Sequence, residues 1–164
     1  MFVDNGDLTT DVLRGAYGRF PSGVTAVCGL VDARPAGIAA SSFTSVSLRP
    51  PLVSVCVART STTWPVLRQA SHLGVSVLAE DQGPVARALA ARSPDRFASV
   101  DWVAEPRGSV FVLGAALWLE CRITEEIPAG DHTIALLEVD RLSPHATVPP
   151  VVFHASTFRS LAKS

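Results

Sequence analysis

The chain has 164 residues, of which 48% are hydrophobic and 18% charged, with a formal net charge of -1 at pH 7. That length suits one domain with a sizeable core, and the low charge excludes a disordered chain. The near-neutral balance leaves no basic footprint for nucleic acid, and no apolar run is long enough to span a bilayer.

Met1 to Thr10 is polar and acidic, without the basic-then-apolar order of a signal peptide. The 3 cysteines, Cys28, Cys56 and Cys121, stand singly in apolar runs. That odd, scattered count predicts buried free thiols in a reducing cytoplasm, with neither a disulfide framework nor a zinc site. The low charge and apolar surplus favour a homo-oligomer.

Asp11–Tyr17 reads as a short helix capped by Thr10 or Asp11, ended by the Pro and Gly of Gly18–Gly23. Val24–Val31 is a buried strand, Asp32–Pro35 a turn and Ala36–Ser42 a second strand, together a hairpin. Thr44–Leu48 continues as an irregular, hydroxyl-rich segment. Pro50-Pro51 sets an extended entry into Leu52–Ala58, the clearest strand in the chain.

Arg59–Thr63 is a polar loop, followed by a short helix over Trp64–Gln69 with Pro65 in its first turn. His72–Leu78 is a strand, and the apolar stripe Val85, Ala86, Leu89 and Ala90 predicts a helix over Gly83–Arg92. Strands are expected over Val110–Leu113, Ala115–Glu125, Thr133–Leu142 and Val151–His154, with a turn at Pro128–His132 and a closing segment at Phe158–Leu161. About seven strands joined mostly by tight turns, with a few short helices, argue for a mainly β antiparallel barrel rather than a doubly wound sheet.

Four constellations can carry chemistry. Gly37–Val57 combines small residues with Ser41, Ser42, Thr44, Ser45 and Ser47. It reads either as a floor offering donors to a flat polar ligand or as an ordinary polar loop. Arg59–Thr63 follows a strand and precedes a helix, where hydroxyls and free N–H groups hold a phosphate or merely cap the helix. Gly130-Asp131-His132 is a hairpin turn that also places a histidine able to donate in a site. Arg96-Phe97 sets a cation near a bound anion, or is a surface Arg beside a packed Phe. His72, His145 and His154 lack metal-ligand spacing and read as structural. No nucleophile elbow, phosphate-binding glycine motif or carboxylate pair stands out, so a cofactor is expected to carry the reaction.

The ordered series of motifs resembles one known family. The motifs are F-P-S-G-V-T at Phe20–Thr25, A-S-S-F-T-S-V-S-L-R-P-P-L-V at Ala40–Val53 and S-T-T at Ser61–Thr63. D-R-F at Asp95–Phe97, D-W at Asp101-Trp102, L-E-C at Leu119–Cys121, G-D-H at Gly130–His132 and a late V-F-H follow. The chain resembles the short-chain flavin reductases, the reductase components of two-component flavin-dependent monooxygenases. The resemblance implies a single domain over residues 1–164, an FMN-binding split β-barrel of Greek-key-like order, and a cytoplasmic homodimer. It implies oxidation of NADH or NADPH, reduction of FMN or FAD, and supply of reduced flavin to a partner monooxygenase. The alternative is a flavin storage or sensing module without efficient reductase activity.

By the same resemblance Ala39, Ala40, Ser41, Ser42 and Ser47 line the isoalloxazine and ribityl chain. Ser61, Thr62 and Thr63 contact the flavin phosphate, Arg96 and Phe97 lie near the cofactor, and His132 lies by the nicotinamide. Hydride transfer then needs alignment more than acid–base chemistry. No metal is expected. Three places differ from the residues usual in the family: Ile38, Leu136-Leu137 and Ala155-Ser156.

Overall fold

The structure, a computed structural model, describes residues 1–162. The last two positions of the expected domain, 163 and 164, lie outside the described residues. Helix α1 (Thr10–Tyr17) opens the fold and is capped by Thr9, whose hydroxyl accepts from the Val12 N–H at 3.3 Å. The expected caps, Thr10 and Asp11, sit inside the first turn instead.

β1 (Ser22–Gly23) and β2 (Thr25–Val31) follow, and β2 pairs antiparallel with β3 (Arg34–Ala40). The turn between them is Asp32-Ala33 alone, both residues at positive φ. The tight turn places Pro35 inside β3, opposite Leu30. Proline is tolerated there because β3 is an edge strand. β4 (Thr44–Leu48) is a strand paired with β5 (Pro51–Ala58), and the expected irregularity is a register shift between Ser45 and Ser47. Helix α2 (Trp64–Leu67), β6 (Leu73–Val77) and helix α3 (Gly83–Ala90) come next.

β7 (Trp102–Ala104) and β8 (Val110–Val112) form a small ribbon. β9 (Leu117–Ala129) and β10 (His132–Pro144) form a long hairpin turning at Gly130-Asp131. Pro128 is therefore strand, not turn. β11 (Val152–His154) and β12 (Thr157–Arg159) close the described chain and join β1 in a three-stranded sheet. Ala155 and Ser156 turn this last hairpin at φ 48° and 61°, so two side-chain-bearing residues adopt the left-handed conformation that glycine favours.

The architecture is mainly β, as expected, but has more strands than the sequence predicted. Seven strands make one antiparallel sheet in the order β3-β2-β6-β9-β10-β5-β4. Its edges, β3 and β4, are not hydrogen-bonded to each other, so the sheet is not closed into a barrel.

β2 is buried on both sides, which is why it reads as a continuous apolar run. Val27 enters a core with Val55, Val75, Leu137 and helix α2's Leu67. Ala26 and Cys28 enter a second core with Leu78, Val110 and helix α3's Ala86 and Leu89. Gly37 on β3 faces the second core, where an added Cβ would meet Cys28 Sγ at 2.6 Å and Phe97 Cζ at 2.9 Å. That close approach seats Phe97 against the strand and brings Arg96 beside it. Among the described residues no helix is long and apolar enough to cross a membrane.

Candidate functional site

β3, β5, the start of β10 and helix α3 converge on one opening. The small residues Ala39 and Ala40 end β3, and Ser41 and Ser42 continue from it. On β5 Cys56 and Ala58 are not buried, and Ala58 pairs with His132 across the ladder. These residues line a cavity of about 390 Å³ that also touches Ala90 and Arg96. A second cavity of about 600 Å³ shares Ala58, Ser61, Ala90 and Arg96 with it and adds Thr62 and Thr63. A third, of about 620 Å³, shares Thr62, Thr63, Ser93, Pro94 and Arg96 with the second and adds Arg34 and Phe97. The three run together as a groove, and Arg96 lines all of them.

Local hydrogen bonds fix this geometry. Arg96 Nη1 donates to Leu89 O at 2.9 Å and to Gly37 O at 3.2 Å, tying helix α3 to β3. Among the described residues the other N–H groups of its guanidinium have no hydrogen-bond partner. Ser42 Oγ accepts from the Cys56 N–H at 2.8 Å and donates to Cys56 O at 3.2 Å, so this hydroxyl closes the gap between β3 and β5. Ser61 Oγ accepts from the Trp64 N–H at 3.1 Å and caps helix α2. The Arg59 N–H donates to Asp131 O at 3.0 Å, which holds the 59–63 loop against the β9–β10 turn.

His132 is half-buried, and its Nδ1 lies 2.7 Å from Asp131 Oδ1. That hydrogen bond, and then the charge of the ring, hold the Asp131 carboxyl below its ordinary range. With Nδ1–H donating to the carboxylate, the other ring nitrogen remains for a ligand.

The structure brings Ala39, Ala40, Ser41, Ser42, Ser61, Thr62, Thr63, Arg96, Phe97 and His132 onto this groove. Ser47 stands apart on β4, where its hydroxyl accepts from the Arg49 N–H at 3.3 Å. Helix α2 is only one turn long, so its dipole adds little, and hydroxyls with Arg34, Arg92 and Arg96 are the groove's groups suited to an anion.

Sequence reasoning missed Ala58, Ala90, Arg92 and Ser93, and covered Ile38 and Cys56 only as part of the Gly37–Val57 stretch. Cys56 was expected to be buried, yet it is exposed and faces the first cavity. The period-2 alternation Ser54-Val55-Cys56-Val57-Ala58 carried that signal. Cys28 and Cys121 are buried free thiols, each pushed up to about 12, chiefly by desolvation. His72 and His145 make protein contacts, as a structural role requires: His72 Nε2 lies 3.2 Å from Asp140, and His145 packs edge-on against Trp118. Among the described residues no three His, Cys, Asp or Glu side chains group as metal ligands.

The groove's chemistry suits a flavin nucleotide. Small residues leave room for a flat ring, and the Thr62 and Thr63 hydroxyls, unpaired among the described residues, stand with Arg96 as groups suited to a phosphate. The chain is 43% identical over 123 residues to the stachydrine N-demethylase reductase subunit Stc3 of Rhizobium meliloti, a match covering 74% of this chain and 54% of that protein. It is 33% identical over 148 residues to HsaB of Rhodococcus jostii, a flavin-dependent monooxygenase reductase subunit, covering 90% of this chain and 76% of that one. The chain thus spans about half the length of the first relative and about three quarters of the second. The NADH:FAD oxidoreductase SgcE6 of Streptomyces globisporus, solved with NAD and FAD fragments, superposes with a TM-score of 0.90 at 39% identity. That superposition covers 99% of this chain and 97% of the other. The flavin reductase like domain matches residues 17–162, and the chain belongs to that family.

Proposed function

We propose that this protein is an NAD(P)H-dependent flavin reductase that supplies reduced flavin to a partner monooxygenase. The observation that carries the reading is the continuous groove. It joins the small-residue floor at Ala39–Ser42, the hydroxyls of Ser61–Thr63 and the guanidinium of Arg96, with His132 at its first cavity. The flavin, when bound, supplies the hydride-accepting ring. The chain's own residues bind and orient: the floor takes the ring, Ser61, Thr62, Thr63 and Arg96 hold the phosphate, and His132 positions the nicotinamide. Ser42 acts through β5, because its hydroxyl is already bonded to Cys56. Ser47 shapes the β4 side of the site from outside the groove.

A flavin phosphate at Ser61–Thr63 leaves the third cavity free, and its about 620 Å³ has room for the AMP half of a dinucleotide. We therefore favour FAD over FMN. The same reading takes the chain as one domain over residues 1–164, with the open sheet as a split barrel. It places the protein in the cytoplasm as a homodimer that touches neither membrane nor nucleic acid.

The test is direct. Purified protein is mixed with FAD or FMN and with NADH or NADPH, and absorbance at the nicotinamide band is followed. Turnover, with tighter binding of FAD than of FMN, is the expected result. Flavin binding with no oxidation of either nucleotide would make the protein a storage or sensing module instead.

A further inference from the structure

The loop at Ser61–Thr63 is held at both ends by one hairpin, β9–β10. At its start the Arg59 N–H donates to Asp131 O at 3.0 Å, and Arg59 Nη1 donates to Gly130 O at 3.4 Å. At its end stands Trp64, the first residue of helix α2. The Trp64 N–H donates to Ser61 Oγ at 3.1 Å, and its indole Nε1–H donates to Glu126 Oε1 at 2.8 Å. The second oxygen, Glu126 Oε2, lies 2.6 Å from Arg68 Nη2, just past the end of the same helix.

Glu126 itself lines none of the groove's three cavities. It is the register partner of Ala135, which is wholly buried, so its side chain leaves the sheet on the side where Trp64 and Leu67 pack. There it is 21% exposed, whereas Glu125 beside it is exposed and, among the described residues, in no ion pair. Trp64 is 6% exposed, and a buried indole N–H needs an acceptor, which this carboxylate supplies. The Ser61 oxygen accepts from the Trp64 backbone, which leaves its own O–H to donate. That direction holds only while Trp64 stays in place.

We propose that Glu126 is a positioning residue for the flavin phosphate: it fixes Trp64, and through Trp64 the Ser61 hydroxyl and the loop, without touching the ligand. The inference rests on the reading that puts the phosphate at Ser61–Thr63. A loop held in its binding shape spares the ligand the cost of ordering it. The effect of Glu126 therefore falls on the phosphate and spares the ring, whose floor at Ala39–Ser42 belongs to β3 and the residues after it.

The experiment compares FMN with riboflavin, which has the same ring and ribityl chain and lacks only the phosphate. Fluorescence titration gives both affinities in wild type, Glu126→Ala, Trp64→Phe, Glu126→Gln and Glu125→Ala. Wild type should bind FMN more tightly than riboflavin. Glu126→Ala and Trp64→Phe should each weaken FMN about fivefold, the scale of ordering one or two side chains anew, and leave riboflavin unchanged. Trp64→Phe removes the indole N–H but keeps an aromatic ring in the core, so it reports even where Glu126→Ala does not fold. Glu126→Gln keeps an acceptor and loses only an ion pair to a half-exposed arginine, so its FMN affinity should stay within about twofold of wild type. Glu125→Ala, the same loss of charge one residue away, should change neither affinity. Unmoved FMN affinity in both Glu126→Ala and Trp64→Phe, an equal loss for FMN and riboflavin, or the same loss in Glu125→Ala would overturn the inference while leaving the phosphate at the loop. A wild type that binds FMN no more tightly than riboflavin would sink the phosphate reading itself, and the inference with it.

Discussion

The two ends of strand β10 are built on opposite rules. At the far end nearly every charge is paired. Arg141 bonds Glu120 and Glu105, and Arg122 holds Asp140 at 3.0 Å and Glu138 at 3.4 Å. His72 and Arg107 add to Asp140 at 3.2 and 3.8 Å. At the near end His132 opens onto a groove where, among the described residues, the Thr62 and Thr63 hydroxyls and most of the Arg96 donors have no partner. Between them Ala135 and Leu137 are wholly buried. Polar groups that satisfy one another hold a sheet together. Polar groups that face a cavity without a protein partner are open to solvent or to a ligand. One strand thus carries a structural end and the end where binding is proposed, and each is open to a separate perturbation.

The largest effect is expected from Arg141→Ala. Glu120 is 1% exposed, and its Oε1 has no hydrogen bond. Removing the guanidinium that bonds Oε2 leaves this buried carboxylate with Arg107 alone, at 4.0 Å, and breaking such a pair is strongly destabilising. Thermal denaturation should show Tm lower by something on the order of 10 °C. Flavin affinity should not change. A loss of affinity equal to that of a groove variant would mean that the two ends are not separate.

At the binding end, Ser61→Ala with Thr63→Ala should weaken flavin binding about tenfold, as expected for charge-assisted hydrogen bonds to phosphate. Ser61 also caps helix α2, so its loss costs about 1 kcal/mol of stability in addition. Thr63→Ala alone has no cap to lose and isolates the affinity effect. Fluorescence titration and a thermal melt on the same samples separate the two. Unchanged flavin affinity in both variants would remove the phosphate from this loop.

What the sequence made legible follows the same division. Leu52–Ala58 and Gly83–Arg92 were readable because alternation and an apolar stripe are imposed by burial on one face. Ser22–Gly23 and Trp102–Ala104 were not, since strands of two or three residues are set by their partners and leave no period. Thr44–Leu48 reads as irregular, and it is: a strand set by pairing with β5, whose register shifts between Ser45 and Ser47. Most of the groove was named through the order of its motifs rather than through composition. Ser42 shows the limit of that route. Its hydroxyl appeared to be a ligand donor, but it is spent on Cys56, a contact between residues 14 apart that no local pattern reveals.

Cys56 sharpens the comparison further. Its exposed thiol lines the groove, while Cys28 and Cys121 are buried with thiols pushed up to about 12. A thiol reagent at neutral pH should label one cysteine rapidly in the native protein and the other two only on unfolding. Bound FAD should slow the fast phase several-fold. Rapid labelling that ignores FAD would place the ring away from β5.

The smallest effect sits in the turn itself. Asp131 is 96% exposed, and its carboxyl is held below the ordinary value of 3.8 by the hydrogen bond to His132 and then by the ring's charge. A lowered folded pKa adds stability that is present above 3.8 and is lost as pH falls through the folded value. Solvent screens so exposed a pair, so the change in stability should be barely measurable. An NMR titration of the side-chain carboxyl reads the contact directly. The Asp131 midpoint should lie below 3.8 in wild type and return to its ordinary value in His132→Ala. The same variant should raise KM for the nucleotide more than it weakens flavin binding, if the ring that Asp131 orients serves the nicotinamide, as proposed, and not the phosphate. Equal midpoints in the two proteins would mean that Asp131 does not orient His132, and the binding end of β10 would then rest on the β5 pairing at Ala58 alone.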